Sequence, residues 1–351
     1  MKRPVFEEIS PKGRIGLLAL IALLVIALGA VILLSLGTGA VHVAPRAILA
    51  ALFGRHPLTP TEQIILLQIR LPRVLASALV GSALAISGLM FQGLFRNPMA
   101  DPYVIGSSGG AVLGACLGIF FFSQVSIFGF SATAVLAFAG SVLTMILVYA
   151  LARSSSGTNV VTLLLAGFAV STMLGYSSYF FEALDSSGSS NHGILLSWLH
   201  GVIGIPQWTQ LAISTALFLI AAAIATPLMR RLNTLALGDE YAHQLGIKVE
   251  HTRIGIILTG SLLTAVAVSL GGLISFAGLF VPHVARLALG PDHVRLLPVT
   301  ALSGAIFLVV ADTLARSVFA PTELPVGVLM AFIGGPFFLY LLRKSKRSYA
   351  L

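Results

Sequence analysis

The side chains that could act as catalysts or metal ligands are scattered along this chain. Its eight histidines include His243 with His251 and His283 with His293, and neither pair has the H-E-x-x-H spacing that puts two zinc ligands on one helix face. The single cysteine, Cys116, excludes an intrachain disulfide and a cysteine-rich zinc site. The spacing also suggests no Ser-His-Asp set and no G-x-x-x-x-G-K-[ST] phosphate loop. We therefore predict no catalytic, cofactor or metal residue, and any ATP hydrolysis must occur in a separate subunit.

The elements that would position functional side chains are apolar helices. The 351 residues are 57% hydrophobic and 9% charged, with a mean hydropathy of +0.99, which excludes a soluble protein because soluble domains carry about 25% charged residues. A membrane-crossing helix needs about 20 apolar residues. Ten runs qualify, near 15–36, 74–95, 103–122, 131–152, 160–181, 209–229, 254–270, 273–289, 297–317 and 324–342. We predict an all-α polytopic membrane protein, a single domain over 1–351, with short interfacial or re-entrant helices near 45–56 and 193–205.

The basic residues predict the orientation. With the N-terminus inside, sixteen of the 21 Lys and Arg residues fall on inner segments and five on outer ones, as the positive-inside rule requires. The net charge of +9 therefore reflects topology and not nucleic-acid binding, which needs a dense basic face. The first apolar run is too long for a signal peptide, so it is expected to be an uncleaved first helix. Because ten crossings is an even number, both termini are then expected in the cytoplasm.

Charged residues within the runs are few. Glu182 and Asp185 fall at the outer end of the fifth run, and Arg286 lies toward the inner end of the eighth. Asp312 and Arg316 are one helical turn apart near the outer end of the ninth, and they are expected to pair. Because no chain of buried carboxylates or histidines crosses the membrane, a proton-driven pump is disfavoured.

Small residues recur every four positions in the third run. On a helix, glycines with this spacing form a flat ridge that lets a neighbouring backbone approach closely. We predict a packing surface there, with a sliding surface beside a pathway as the alternative. The residues are Gly106, Gly110, Gly114 and Gly118.

The longest polar interruption, at about 232–251, has the pattern of a short amphipathic helix pair. Asp239 and Glu240 are typical of a helix start, and Gly246 permits a bend. Because its polar side carries few basic residues, docking in a groove of a partner is favoured over lying on the membrane. The spacing resembles the E-A-A-x-x-x-G coupling motif of importer permeases. The candidate coupling residues are Leu235, Gly238, Asp239, Glu240, Ala242, Leu245 and Gly246.

Three longer blocks, 70–110, 271–298 and 311–338, carry a more specific resemblance. They read RLPRVLASALVGSALAISGLMFQGLFRNPMADPYVIGSSGG, GGLISFAGLFVPHVARLALGPDHVRLLP and ADTLARSVFAPTELPVGVLMAFIGGPFF. Together they resemble the permeases of the iron-siderophore, haem and cobalamin ABC importers (FecCD-type, type II). The resemblance implies a homodimer of ten-helix subunits with the pathway on the dimer axis. It also implies two cytoplasmic ATPase subunits that use ATP and Mg²⁺, one periplasmic binding protein and a bacterial inner-membrane location.

The resemblance also implies roles for two groups of residues. Arg70, Arg73 and Arg316 depart from the positive-inside bias, and matching arginines of the family meet acidic residues of the binding protein. The alternative is local pairing with Glu62, Asp312 or lipid phosphate. The turn at Asn97, Pro98 and Met99, followed by Asp101-Pro102, is expected to form the cytoplasmic gate, with a plain turn as the alternative.

The importer prediction has three competitors. An ion-coupled secondary transporter lacks the expected buried carboxylates, and an intramembrane enzyme lacks a catalytic cluster. A non-transporting receptor or scaffold would be favoured if the protein purified without an ATPase and moved no ligand. The chelate itself stays open between ferric siderophore, haem and cobalamin, with the siderophore favoured only as the broadest class.

Overall fold

The computed structural model describes residues 11–39, 59–154, 157–158, 160–184, 191–318 and 322–348, with Val43, Ile48 and Ala50. This part of the chain is almost entirely helical. Its helices are α1 Pro11–Gly37, α2 Pro60–Leu94, α3 Ser107–Phe121, α4 Ala132–Ala152, α5 Val160–Gly175, α6 Ser177–Leu184, α7 Asn191–Leu199, α8 Trp208–Leu235, α9 Asp239–Gln244, α10 Val249–Gly271, α11 Ala277–Leu289, α12 His293–Ser317 and α13 Val326–Ser348.

Short irregular elements join these helices. Helix α2 contains a π-helical stretch at Ile65–Arg70, and a 3₁₀ helix covers Pro102–Ile105. One two-stranded hairpin pairs β1 Ser126–Ile127 with β2 Phe130–Ser131 and joins α3 to α4. A second pairs β3 Arg153–Ser154 with β4 Gly157–Thr158 and joins α4 to α5.

Each of the ten predicted apolar runs falls on a helix, although the lengths differ. Among the described residues, seven helical stretches are long and apolar enough to cross a membrane, namely Gly16–Gly37, Pro60–Leu94, Ala132–Ala152, Val160–Leu184, Trp208–Leu235, Val249–Gly271 and His293–Ser317. The other three, Ser107–Phe121, Ala277–Leu289 and Val326–Leu339, are shorter apolar helices. At 1.5 Å per residue, apolar stretches of this length span only about 20–23 Å of a hydrocarbon core about 30 Å thick.

Two predicted runs begin too early. The run at 273–289 is helical only from Ala277, because the chain leaves α10 at Gly272 and passes through Phe276 with a φ of +66°. The run at 103–122 is α-helical only from Ser107, after the 3₁₀ helix. The predicted interfacial helix at 193–205 is present as α7 but ends at Leu199. Most of 45–56 lies outside the described residues.

Helix α2 lies at the centre of the molecule. It packs against α8, α10, α11 and α12, and nearly every residue from Pro72 to Leu94 is buried. In a bilayer the lipid is as apolar as the helices, so close van der Waals packing must hold them together. A Cβ at Gly81 would lie 2.1 Å from the Gly304 carbonyl oxygen on α12, and one at Gly88 would lie 1.7 Å from that of Gly278 on α11. The backbone of α2 thus touches two neighbours directly.

The predicted glycine ridge needs one correction. A Cβ at Gly110 would lie 2.0 Å from Thr144 Oγ1, and one at Gly114 would lie 2.0 Å from the Leu136 carbonyl oxygen, both on α4. Gly118 approaches the same helix. Gly106 is not on this ridge, because it precedes α3 with a left-handed φ of +91° and faces α5. The ridge therefore consists of three glycines that pack α3 on α4.

The ridge generates a stability prediction. Gly114→Ala should lower the free energy of unfolding by about 1–3 kcal/mol, since the added methyl group overlaps the α4 backbone. Gly29→Ala is the matched control, because a Cβ at Gly29 would meet nothing within 4 Å. Unfolding in mixed micelles by titration with sodium dodecyl sulfate measures both. Equal stability of the two variants would contradict the close packing.

Candidate functional site

A buried group of charges lies where α2 approaches the end of α12. Arg73 donates from Nε and Nη2 to Asp312 Oδ1 at 3.2 and 3.0 Å, and from Nη1 to Glu323 Oε2 at 2.8 Å. Arg316 Nε lies 3.7 Å from Asp312 Oδ2, which is the pair expected from sequence. Asp312 is only 1% exposed, so one carboxylate neutralises two buried guanidinium groups. We call Arg70, Arg73, Asp312, Arg316 and Glu323 the arginine cluster.

The arginine cluster also binds the end of α1. Arg316 Nη2 donates to the Ser35 carbonyl oxygen at 2.6 Å, and Arg70 Nη1 donates to that of Leu36 at 2.7 Å. The last carbonyls of a helix lack intrahelical partners and carry a partial negative charge, so cations stabilise them. Two arginines therefore attach α1 to α2 and α12. These contacts matter because no residue in the most apolar part of α1 is buried by other helices.

This geometry bears on the docking prediction. Arg70, Arg73 and Arg316 come together as expected, but their residues are only 5%, 8% and 8% exposed. Local pairing with Asp312, the alternative, is what the structure shows for Arg73 and Arg316. Glu62 forms a capping box with Thr59. Docking to an acidic partner therefore stays a prediction for these three arginines.

Asp312 is predicted to be critical for stability. Asp312→Ala should cost about 3–5 kcal/mol of unfolding free energy, because two buried guanidinium groups lose their shared counterion. Glu323→Ala removes the other, half-exposed carboxylate on Arg73, and it should cost at most about 1 kcal/mol. The same micellar unfolding assay compares them. A loss for Asp312→Ala no larger than that for Glu323→Ala would refute the shared-counterion role.

The predicted coupling segment lies at the opposite end of α2. Helix α8 ends at Leu235, α9 covers only Asp239–Gln244, and α10 starts at Val249. Gly238 and Gly246 have φ values of +121° and +79°, so both bends need the left-handed backbone that glycine adopts most readily. The segment is thus a compact turn–helix–turn with one short helix of its own, where the pattern predicted a short helix pair.

The apolar residues of this segment divide into two groups. Leu235 and Ala242 are buried against the helices. Tyr241 and Leu245 are 63% and 60% exposed, and Leu237 is 38% exposed. The apolar residues of this segment therefore do not share one face. Large exposed apolar side chains beside a helix too short to cross a membrane favour a surface that a partner covers.

Beside the coupling segment lies the turn at Asn97, Pro98 and Met99, which we call the gate turn. The Asn97 side chain accepts a hydrogen bond from the Met99 N–H at 2.9 Å. Asn97 and Pro98 are exposed, and the preceding residue, Arg96, has a φ of +49°. The guanidinium of Arg96 forms an ion pair with Asp239 Oδ1 at 3.0 Å. The structure thus brings the gate turn and the coupling segment together, and gating at this turn stays a prediction.

The sequence reasoning missed the partners of this turn. Arg96, Thr158, and the α10 residues Glu250 and Arg253 surround the coupling segment, although they come from three separate parts of the chain. The only sequence signal was that three of them are isolated charges at helix ends. Pairing between distant positions is not readable from one sequence.

Several other polar residues that the sequence singled out are exposed, or pair with a neighbouring side chain. His243 and His251 are exposed, whereas His293 is buried and its Nδ1 lies 2.7 Å from Asn233 Oδ1. Glu182 pairs with His192 at 2.5 Å, and Asp185 lies outside the described residues. No group of three His, Cys, Asp or Glu side chains that could hold a metal ion occurs in the described part of the chain.

Asp101 holds the start of the 3₁₀ helix after the gate turn. Its carboxylate accepts hydrogen bonds from the backbone N–H groups of Tyr103, at 2.9 Å, and Phe276. Burial raises the pKa of Asp101 from its usual 3.8 to about 6, because it outweighs these two hydrogen bonds. Compared with the unfolded chain, the folded state therefore favours the protonated form of the Asp101 carboxyl group.

This shift predicts a pH-dependent stability. A carboxyl group with a raised pKa in the folded state gives up stability as the pH rises through that value. Asp101→Asn cannot ionise, so relative to wild type it should gain up to about 3 kcal/mol on going from pH 4 to pH 7.5. Unfolding at both pH values measures this difference. A difference between variant and wild type that does not change with pH would contradict the raised pKa.

Comparison with known proteins agrees with this architecture. A profile described as the FecCD transport family matches residues 23–344. The chain belongs to the FecCD transport family. It is 44% identical over 283 residues to the cobalamin import system permease protein BtuC of Halobacterium salinarum, covering 81% of this chain and 74% of that one. It is 40% identical over 287 residues to the hemin transport system permease protein HmuU of Yersinia pestis, covering 81% and 84%.

A solved structure supports the same family. It is described as an inward-facing conformation of a metal-chelate type ABC transporter, and it superposes with a TM-score of 0.81 at 30% identity, covering 92% of this chain and 98% of that one. The all-α polytopic fold and the importer-permease family predicted from sequence are therefore confirmed. The FecCD family is a transport family, so this multi-pass chain is a transport protein.

Proposed function

We propose that this chain is the permease subunit of an ATP-binding-cassette importer that moves a large metal chelate from periplasm to cytoplasm. The family match over 23–344 is the observation that carries this proposal. The relatives are named for cobalamin and hemin, and a neighbour for a metal chelate, so the substrate class is cobalamin, haem or a ferric siderophore. An ion-coupled secondary transporter has no comparable support.

The proposed assembly is a homodimer of 351-residue permease domains with two ATPase subunits and one periplasmic binding protein. ATP and Mg²⁺ would be bound only by the ATPase subunits. Helices α5 and α6 bury few residues within one chain, and they expose Phe168, Tyr176, Tyr179 and Phe180. Tyrosine hydroxyls are poorly placed against lipid tails. A second copy or a pathway beside these helices would accommodate them.

The proposed orientation puts the coupling segment in the cytoplasm and the arginine cluster toward the periplasm, in the inner membrane. The two lie at opposite ends of α2, and the sixteen-to-five distribution of basic residues supports this orientation. Both termini would then be cytoplasmic. Exposed Tyr241 and Leu245 would seat in a groove of the ATPase, with the α9 backbone held by Gly238 and Gly246.

Binding-protein docking would use the arginine cluster by exchange. Arg73 holds one fully buried carboxylate and one from Glu323, whose side chain is 51% exposed. An acidic residue of the binding protein could replace Glu323 on the same guanidinium, because the two carboxylates make equivalent charge-assisted hydrogen bonds. Docking at one end of α2 and ATP-driven movement at the other would then alternate the access of the pathway.

The proposal predicts substrate uptake that is driven by ATP hydrolysis. Proteoliposomes containing the permease and its ATPase should accumulate labelled cyanocobalamin, haem or a ferric siderophore when supplied with binding protein and ATP. Vanadate should stop uptake, and a protonophore should not. Uptake that survives vanadate and collapses with the protonophore would refute the proposal in favour of an ion-coupled transporter.

Leu245→Asp should reduce the ATPase that co-purifies with the permease by about tenfold or more, because the loss of one buried leucine costs about 1.5–3 kcal/mol. The matched control is Phe128→Asp, at a 79% exposed residue in the hairpin at the opposite end of the molecule. Equal recovery of ATPase with both variants would exclude α9 as its docking site.

A further inference from the structure

The carboxylate of Asp239 is divided between two arginines from different helices. Oδ1 lies 3.0 Å from Arg96 Nη2, just beyond the end of α2, and Oδ2 lies 2.6 Å from Arg253 Nη2 on α10. Asp239 is the first residue of α9, the helix proposed to receive the ATPase. One side chain therefore connects that helix to two membrane-crossing helices.

Arg96 is built to hold this position. The nitrogen that pairs with Asp239 also donates to the Leu235 carbonyl oxygen at 2.6 Å, so the guanidinium spans the bend between α8 and α9. Its own backbone is left-handed, with a φ of +49°, a conformation that few residues other than glycine adopt. The next residues are Asn97, Pro98 and Met99. Any movement of Asp239 that carries Arg96 along must therefore act on the gate turn directly.

Arg253 extends the link to a second turn. Its Nη1 donates to the Thr158 carbonyl oxygen at 3.1 Å, in the β3–β4 hairpin between α4 and α5. One turn of α10 earlier, Glu250 accepts from the Thr158 N–H at 3.3 Å and from the Tyr149 hydroxyl at 3.1 Å. The hairpin is thus bound to α10 through both the carbonyl oxygen and the N–H group of Thr158. Asp239 thus reaches the β3–β4 hairpin through Arg253 and the gate turn through Arg96.

Stability does not account for this arrangement. The side chains of Arg96 and Asp239 are 49% and 47% exposed, and exposed ion pairs contribute little to folding. Helix α9 packs chiefly on α8 and α10, and a cavity of about 220 Å³ lies between it and the end of α2. Across that space the ion pair is a polar link between elements that can shift. Such a link is suited to transmitting position.

We infer that Asp239 is a positioning residue that transmits movement of α9 to the gate turn through Arg96, and to the β3–β4 hairpin through Arg253. This inference rests on the proposed function, because α9 moves only if an ATPase engages it. The competing role for Asp239 is local: an acidic residue in the first turn stabilises any helix through its dipole. Arg96 distinguishes the two, because it is not part of α9.

The test uses the full importer complex with Cys116→Ser, which removes the one native cysteine, and Met99→Cys carrying a spin label. Two readouts are taken: substrate transported per ATP hydrolysed, measured with Met99 unaltered, and the change in the Met99–Met99 label distance on adding ATP and vanadate, measured with the label. Arg96→Gln should lower the first by about fivefold or more and shrink the second to less than half. Asp239→Asn should do the same, and Asp239→Glu should restore both in part.

The matched control is Arg231→Gln, at an exposed arginine near the C-terminal end of α8. Arg231 forms no ion pair with any residue that the structure describes. It should leave both readouts within twofold of wild type. If Arg96→Gln also does so, the inference fails while the proposed function stands. If Arg96→Gln does not fold, Asp239→Asn decides by the same criteria. If the complex with unaltered Arg96 and Asp239 shows no vanadate-sensitive transport, the proposed function fails, and the inference fails with it.

Discussion

The contact of α2 with its neighbours through glycine is the constraint on which the rest of the structure depends. In lipid, apolar surface gains nothing from leaving its solvent, so a bundle holds together only where backbones come close. At Gly81 and Gly88 the backbone of α2 touches those of α12 and α11, and no side chain intervenes. A methyl group at either position would separate the helices. The central position of α2 follows from these two contacts.

A rigid α2 connects two functional ends. Arg73 lies in its first buried turn and Arg96 lies two residues past its end at Leu94, so the arginine cluster and the gate turn are about 35 Å apart along one helix. Both ends use arginine–aspartate pairs, and both reach other helices: Ser35 on α1 at one end and Asp239 on α9 at the other. A displacement at either end is therefore carried by a packed element and not by a flexible loop.

Sequence predicts some of this structure well and some not at all. Apolar runs predict helices because a bilayer demands long apolar segments, and the motif blocks predict the family. Sequence offers the pairing of Arg73 with Asp312, 239 positions away, only as an alternative to docking, whereas helical spacing predicts that of Asp312 with Arg316. Amphipathic spacing predicts a helix pair in this segment, but the bends at Gly238 and Gly246 leave one short helix, α9, on which Ala242 is buried, with Leu245 exposed just after it. Local periodicity fails where chain direction changes.

The two aspartates that each bind two arginines differ in burial, and this difference separates their roles. Asp312 is 1% exposed, so moving it would leave uncompensated charge in a medium without water, and its contacts must persist through a transport cycle. The side chain of Asp239 is 47% exposed, so water can replace either arginine at small cost while the helices shift. Identical chemistry therefore makes a fixed anchor at the buried end of α2 and an adjustable link at the exposed end.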